Sequence, residues 1–254
     1  MLGAFRKIPI LAYASAGLSL AAAYSSTRVK SDCETPNYGP SSLNGCTMMI
    51  FGGSSGIGLA TAKEAARQGA KDIYIVGRNE EKLASARQAI EGIERGAKVQ
   101  KVRVITASVD TTDETKVREF MNTVPDNSID HLVTTPGNSM RLGNLVANKR
   151  SCEDVKRQLD MKYFAQLAPV LAATEKMKRH GSITMTSGIL SRRTGRGNDA
   201  LAISNAAIEI SVRCLANDYG FDGKKVRVNC LSPGITNPQT LLHIRIILLI
   251  HSLL

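Results

Sequence analysis

Tryptophan is absent and aromatic residues make up only 4% of the chain, which leaves little material for the base-stacking platforms of single-strand nucleic-acid binders. Cysteine is sparse as well. Cys33, Cys46, Cys152, Cys214 and Cys230 stand apart, with no CxxC pair and no Cys/His cluster at metal-ligand spacing, and this argues against a disulfide framework or a zinc site. Isolated thiols in odd number suit a reducing compartment. No solenoid repeat and no low-complexity tract interrupts the sequence. Acidic residues are outnumbered 22 to 33, for a net charge of +11, with much of the excess in segments 140–180 and 191–200. Such a surface suits an anionic partner or a phosphorylated cofactor. Without aromatic interleaving, a solvated basic face is the simpler reading and nucleic acid is disfavoured.

What is present is a globular composition. A hydrophobic fraction of 43% with 22% charged residues over 254 positions supports a buried core and one large domain. The two ends differ from the middle. Residues 1–30 contain no Asp or Glu, carry Arg6, Lys7, Arg28 and Lys30, and enclose the apolar stretch Ile8 to Tyr24. That composition suggests a cleaved leader, mitochondrial first, with a secretory signal or a membrane anchor as alternatives. Residues 31–45, with Pro36, Pro40 and several serines, read as a linker. The folded domain is expected over residues 46–240. Residues 241–254 form an apolar tail too short and too interrupted to span a bilayer.

From Thr47 onward, short β-branched runs alternate with longer amphipathic stretches. This is the pattern of a parallel sheet covered on both faces, a Rossmann-like doubly wound α/β fold in three layers. Strands are predicted at Thr47–Phe51, Asp72–Val76, Val99–Thr106, Ile129–Thr134, Ser182–Thr186 and Val226–Leu231. Helices are predicted at Ile57–Gln68, Glu80–Glu94 and Ala200–Asp218.

The first strand runs directly into Phe51-Gly52-Gly53-Ser54-Ser55-Gly56-Ile57-Gly58. In this position Gly52 allows a tight turn, Gly56 lets a pyrophosphate approach the backbone, and Gly58 permits close packing. Ser54, Ser55 and Ile57 complete the loop at the helix N-terminus. The second strand ends in Val76-Gly77-Arg78-Asn79. A carboxylate there would bind the ribose hydroxyls of NAD; Gly77 supplies none, whereas Arg78 offers a cation for a 2′-phosphate. NADP(H) is therefore favoured over NAD(H).

These motifs resemble those of the short-chain dehydrogenase/reductase family over about residues 45–238. The segments that carry the resemblance are GGSSGIG, VGRNEEKL, Asp110 after the third strand, Gly181–Gly188 at the fifth and Val226–Gly234 at the sixth. The resemblance implies hydride transfer between a nicotinamide and a small-molecule carbonyl or alcohol. It implies that Asp110 contacts the adenine edge and that Gly137, Pro233 and Gly234 border the cofactor; a helix-capping acid near Thr112 is the alternative for Asp110. A homo-oligomer is also compatible with it.

The family's catalytic set is a Ser, a Tyr, a Lys four residues later and an Asn on the preceding helix. Ser187 matches the Ser, but Leu201 stands at the Tyr position and Asn205 at the Lys position. Lys162, within Asp160-Met161-Lys162-Tyr163-Phe164-Ala165, stands where the family carries its Asn. Lys and Asn are thus exchanged between two helices. The exchange nominates Lys162 as acid or electrostatic stabiliser with Ser187 and Asn205; a surface lysine is the alternative. Phe51 and Thr134-Thr135-Pro136-Gly137 are further departures from the family pattern. Arg192, Arg193 and Arg196 lie on the loop after Ser187, either facing an anionic substrate or forming an exposed basic loop. The chain after Gly234 does not resemble the family's last helix and edge strand. The competing function is a catalytically silent nucleotide-binding or interaction module of the same fold.

Overall fold

The computed structural model describes residues 43–93, 101–137, 143–221 and 223–234. The expected leader, most of the linker and the apolar tail lie outside the described residues.

Six strands form one parallel sheet in the order β3-β2-β1-β4-β5-β6. In chain order they are β1 (Thr47–Phe51), β2 (Asp72–Gly77), β3 (Arg103–Ser108), β4 (Ile129–Thr134), β5 (Met177–Thr186) and β6 (Arg227–Leu231). The helices are α1 (Gly56–Arg67), α2 (Glu80–Glu91), α3 (Glu114–Asn122), α4 (Cys152–Leu159), α5 (Ala165–Ala172) and α6 (Asp199–Phe221). A π-helical turn, Asp160–Phe164, joins α4 to α5.

Both faces of the sheet are buried, as parallel sheets require. Met48 and Ile50 of β1 and Ile73 and Ile75 of β2 face a core made with Ala62, Ala65 and Ala66 of α1. The alternate residues Met49, Phe51 and Val76 face a second core containing Ile183, Met185, Val170, Ile208 and Val212. Phe120 packs edge-on against Phe51 there, with ring centroids 6.2 Å apart. The middle of each central strand is therefore apolar on both faces, as in Met48–Phe51, Ile73–Val76 and Leu132–Val133, which is why these segments read as runs and not as alternations.

Local signals set the helix starts. The Asn79 side chain accepts from Lys82 N at 2.8 Å and begins α2. Asp113 does the same for α3, and Ser151 with Asp154 forms a capping box at α4. Neither α3 nor α4 was delimited by periodicity.

Two strand boundaries need correction. β3 begins at Arg103 and runs to Ser108, later than the expected Val99–Thr106, because its ladder is set by Asp72↔Arg103 through Gly77↔Ser108. A 2.7 Å ion pair between the Arg103 guanidinium and Asp72 holds that register. β5 starts at Met177 and not at Ser182: Ile129 pairs Met177, and an irregularity before His131 restores the ladder at Ser182. The helix α2 ends at Glu91, capped by Gly92, and α6 extends over Asp199–Phe221. Among the described residues, β6 is the sheet edge opposite β3, and no helix is long and apolar enough to cross a membrane.

Candidate active site

In an open sheet of this order, the chain leaves in opposite directions from β1 and β4, and a crevice opens at their C-terminal ends. The structure has a cleft of about 530 Å³ there, bordered by the β1–α1 loop, the end of β2, the Val109–Thr112 segment and Thr135–Gly137.

Gly52 turns the chain with φ of +80° and donates its N–H to Val76 O at 2.8 Å. A Cβ on Gly58 would run into the Gly52 carbonyl oxygen, so α1 can approach β1 only with glycine at this position. Gly56 also has positive φ, +53°, but faces open space. Its role is conformational. Ser55 is the N-cap of α1 with an extended backbone, yet its hydroxyl makes no capping bond. Ser54, Ser55 and Ile57 line the cleft with the glycines.

At the other end of the cleft lie Arg78, just before the N-cap Asn79, and Lys82 in the first turn of α2. Neither forms an ion pair with a described residue, although Arg67, Arg87, Arg103, Lys116 and Arg118 each do. Lys82 is an addition to the residues nominated from sequence. Its position, three residues after an N-cap asparagine, is the signal that could have found it. Asp110 also borders the cleft, and its Oδ1 accepts from Thr112 N at 3.0 Å and Thr112 Oγ1 at 2.9 Å. The helix-capping alternative for Asp110 needs correction: the N-cap of α3 is Asp113, three residues later, and Asp110 instead closes a turn on Thr112.

The candidate catalytic residues gather where β5, β6 and α6 meet. Ser187, at the end of β5, is 3% exposed. Its Oγ is 3.1 Å from the Asn205 carbonyl oxygen and 3.1 Å from Glu209 Oε1, and its one proton serves either acceptor. Asn205 is 2% exposed, and a Cβ on Gly188 would lie 2.9 Å from its Nδ2. The Oδ1 of Asn205 is buried without a partner. Leu201, one turn earlier on α6, offers only hydrocarbon.

Lys162 occupies the middle of the π-helical turn, a feature that often marks functional positions. Its Nζ lies 3.5 Å from where a Cβ on Gly137 would be, and Gly137 lines the cleft. Burial pulls the amine down to about 8, and the nearby Cys230 is its one electrostatic neighbour. Cys230 in turn borders Ser187 and is pushed up to about 11, chiefly by burial. Lys162 thus lies against Gly137 with Cys230 in electrostatic range, and its π-helical turn packs against α6, the helix that carries Asn205 beside Ser187. Tyr163 turns away and exchanges a 2.8 Å hydrogen bond with Ser211.

Two residues of this corner escaped the sequence reading. Glu209 is 8% exposed, and its Oε1 accepts hydroxyl bonds from Ser187, Ser191 and Ser232 while Oε2 takes Arg192 Nε at 3.2 Å. Burial raises the Glu209 carboxyl, but the serines and Arg192 together outweigh it and hold it below the usual value. The signal was an acid on the apolar stripe of α6, four residues after Asn205. Gln166, fully buried, bonds Thr134 Oγ1, Pro136 O, and both the N–H and C=O of Thr186. It ties β4 to β5 beside the cleft. Arg192 is held by Glu209, whereas Arg193 and Arg196 are exposed. Pro233 O accepts Ile189 N at 2.8 Å, so Pro233 and Gly234 sit against the turn after Ser187 and outside the cleft lining. Among the described residues no group of His, Cys, Asp or Glu could hold a metal ion.

Comparison with known proteins agrees with this geometry. A family model described as enoyl-(acyl carrier protein) reductase matches residues 52–245. A short-chain dehydrogenase/reductase of Stachybotrys chlorohalonatus is 28% identical over 200 residues, 76% of this chain and 75% of the relative. A carbonyl reductase family member 4 of Danio rerio is 26% identical over 190 residues, 74% of each chain. The solved short-chain type dehydrogenase/reductase of Mycobacterium ulcerans superposes with a TM-score of 0.67 at 25% identity, covering 76% of this chain and 68% of that one.

Proposed function

The chain belongs to the short-chain dehydrogenase/reductase family of oxidoreductases, and we propose that it binds NADP(H) and moves hydride between the nicotinamide and a small carbonyl or alcohol through a rearranged catalytic set. The cleft meets the cofactor's requirements. A glycine turn leads into a helix N-terminus with free N–H groups, suited to a pyrophosphate. Ser54, Ser55 and Gly56 would hold that group, and Asp110 the adenine edge.

The observation that carries the NADP(H) preference is the pair Arg78 and Lys82, both facing the cleft and both without an acidic partner among the described residues, beside a strand end that has no carboxylate. Two cations at this place suit a dianionic 2′-phosphate and gain nothing from a bare ribose.

A nicotinamide dinucleotide held in the cleft would supply the hydride chemistry. The chain's own residues do the rest. The Lys162 ammonium, close to neutrality in its proton balance, donates to the substrate oxygen as charge develops on it. Asn205 offers an amide to a hydroxyl in the same corner. Ser187, whose proton is committed to Glu209 or to the Asn205 carbonyl, turns its lone pairs to the pocket and accepts from Lys162 or from a substrate hydroxyl. Titrating the full chain with NADPH and with NADH, read by nucleotide fluorescence, tests the cofactor; NADPH oxidation with a panel of carbonyl compounds tests the chemistry. Tighter NADPH binding with turnover supports the whole reading. Binding without any turnover would leave a nucleotide-binding module, the outcome that Leu201 in place of a proton donor favours. The acid-free residues 1–30 we read as an organellar leader, which N-terminal sequencing of the mature protein tests.

A further inference from the structure

Lys162 is unusual among the cations of this fold. Lys176, Lys178 and Lys224 hold Asp126, Asp130 and Glu175. Lys162 forms no hydrogen bond or ion pair with any described residue, and the thiol beside it is uncharged. A buried amine without a counter-ion gives up its proton readily. Its nitrogen lies against Gly137, and both Gly137 and the preceding residue Met161 line the cleft. The π-helical turn fixes its backbone. The π-helical turn packs against α6, which carries the buried, unpartnered Asn205 Oδ1, a free acceptor for a hydroxyl.

We propose that Lys162 is a carbonyl-capture residue, whose neutral amine condenses reversibly with a small aldehyde or unhindered ketone in the cleft to form an imine. The nitrogen lone pair attacks the carbonyl carbon and gives a carbinolamine, whose hydroxyl can donate to Asn205 Oδ1. The oxygen then leaves as water with the two amine protons, and C=N replaces C=O with no net oxidation or reduction. This goes beyond the reductase reading. Hydride transfer draws on the ammonium form of Lys162, capture draws on the free amine, and capture needs no nucleotide.

Reductive trapping tests it on the full chain. Propanal and sodium cyanoborohydride are added without nucleotide at pH 7.5, and each lysine is followed by peptide mass spectrometry. Exposed Lys71 and Lys225 serve as references within the same molecule. With its proton lost near pH 8, about a quarter of Lys162 is neutral under these conditions against about a thousandth of an ordinary lysine. Lys162 is expected to gain a propyl group at least about tenfold faster than the references, the ratio narrowing toward pH 10 as ordinary lysines lose their protons. Labelling at or below the reference rate overturns the proposal, and because the comparison is internal to the wild-type chain, no misfolded variant can imitate either result. Labelling at Lys162 in a protein that binds no NADPH keeps this inference and removes the reductase reading; NADPH binding without preferential labelling does the opposite.

Discussion

The hydroxyl of Ser187 lies 3.1 Å from the buried carboxylate of Glu209. The same carboxylate also collects Ser191, Ser232 and Arg192, so one side chain of α6 fixes the end of β5, the turn after it and the segment after β6. Glu209→Leu would remove an acceptor shared by three hydroxyls and the exposed Arg192 guanidinium, while Ser187 and Ser191 keep backbone carbonyls as second acceptors. The expected cost is about 1 to 3 kcal/mol, or a fall in Tm of roughly 2 to 10 °C for a domain of this size. Glu209→Gln, which keeps one acceptor, should lose less than half of that. Thermal unfolding of the two variants checks the order; equal losses would show that the carboxylate is not the centre of the network.

Two glycines of the cofactor loop should fail in different ways. Gly58→Ala drives a methyl into the Gly52 carbonyl and is expected to cost about 1 to 3 kcal/mol of stability by overpacking, with NADPH affinity falling as the loop shifts. Gly56→Ala meets no atom within 4 Å. It pays only for an alanine at positive φ, about 1 to 2 kcal/mol, and keeps the fold. Paired denaturation and NADPH titrations distinguish a packing glycine from a conformational one.

Arg78→Ala should weaken NADPH binding by about 10- to 100-fold, the worth of one charge-assisted contact to a phosphate. NADH binding should stay within about twofold, because no neutral ribose hydroxyl depends on the guanidinium. Lys82→Ala should show the same selectivity with a smaller factor, since an ammonium lacks the bidentate fork. A uniform loss for both nucleotides would place these cations on the pyrophosphate instead.

The sheet itself carries a pH dependence. His131 on β4 is 7% exposed, shares a 2.9 Å hydrogen bond with Ser182, and is held down to about 4, first by burial. Between its unfolded value near 6.5 and this folded value, the unfolded chain binds a proton that the folded chain refuses. Its contribution is therefore complete above about pH 6.5 and is lost as the pH falls toward 4. From pH 7 to pH 5 the loss amounts to about 2 kcal/mol. Urea unfolding at the two pH values measures it, and His131→Gln should flatten this part of the profile.

The readability of these features differed by the range of the interaction behind them. Gly52, Gly56, Gly58 and Arg78 could be found because they belong to one contiguous strand–turn–helix unit whose chemistry is local. The central strands were readable as apolar runs, since burial on both faces leaves no alternation to misread. β3 was misplaced because its register depends on a partner 31 residues away, the Asp72 carboxylate that pairs Arg103. Glu209 and Gln166 were missed for the same reason. Their partners lie on other elements, and only the assembled sheet shows that an acid on an apolar helix stripe meets three serines.

The exchange of Lys and Asn between two helices can be tested by reversing it. Asn205→Lys alone puts an ammonium at a position that is 2% exposed, on the helix that packs against the turn carrying Lys162. Like charges at such a place cannot both stay protonated, so this single change should destabilise the protein and weaken NADPH binding. Lys162→Asn alone removes the Lys162 ammonium and should reduce any turnover while leaving the fold intact. The double variant carries one ammonium and one amide with their positions traded back. Its stability should recover to within about 1 kcal/mol of the wild type, a strongly non-additive result for two residues that share a pocket. Adding Leu201→Tyr to that background places a phenol one helical turn before the new lysine, and turnover should rise by about 10²- to 10⁴-fold if proton delivery limits the wild-type reaction. Strict additivity of the two single substitutions would instead mean that Lys162 and Asn205 do not share a site.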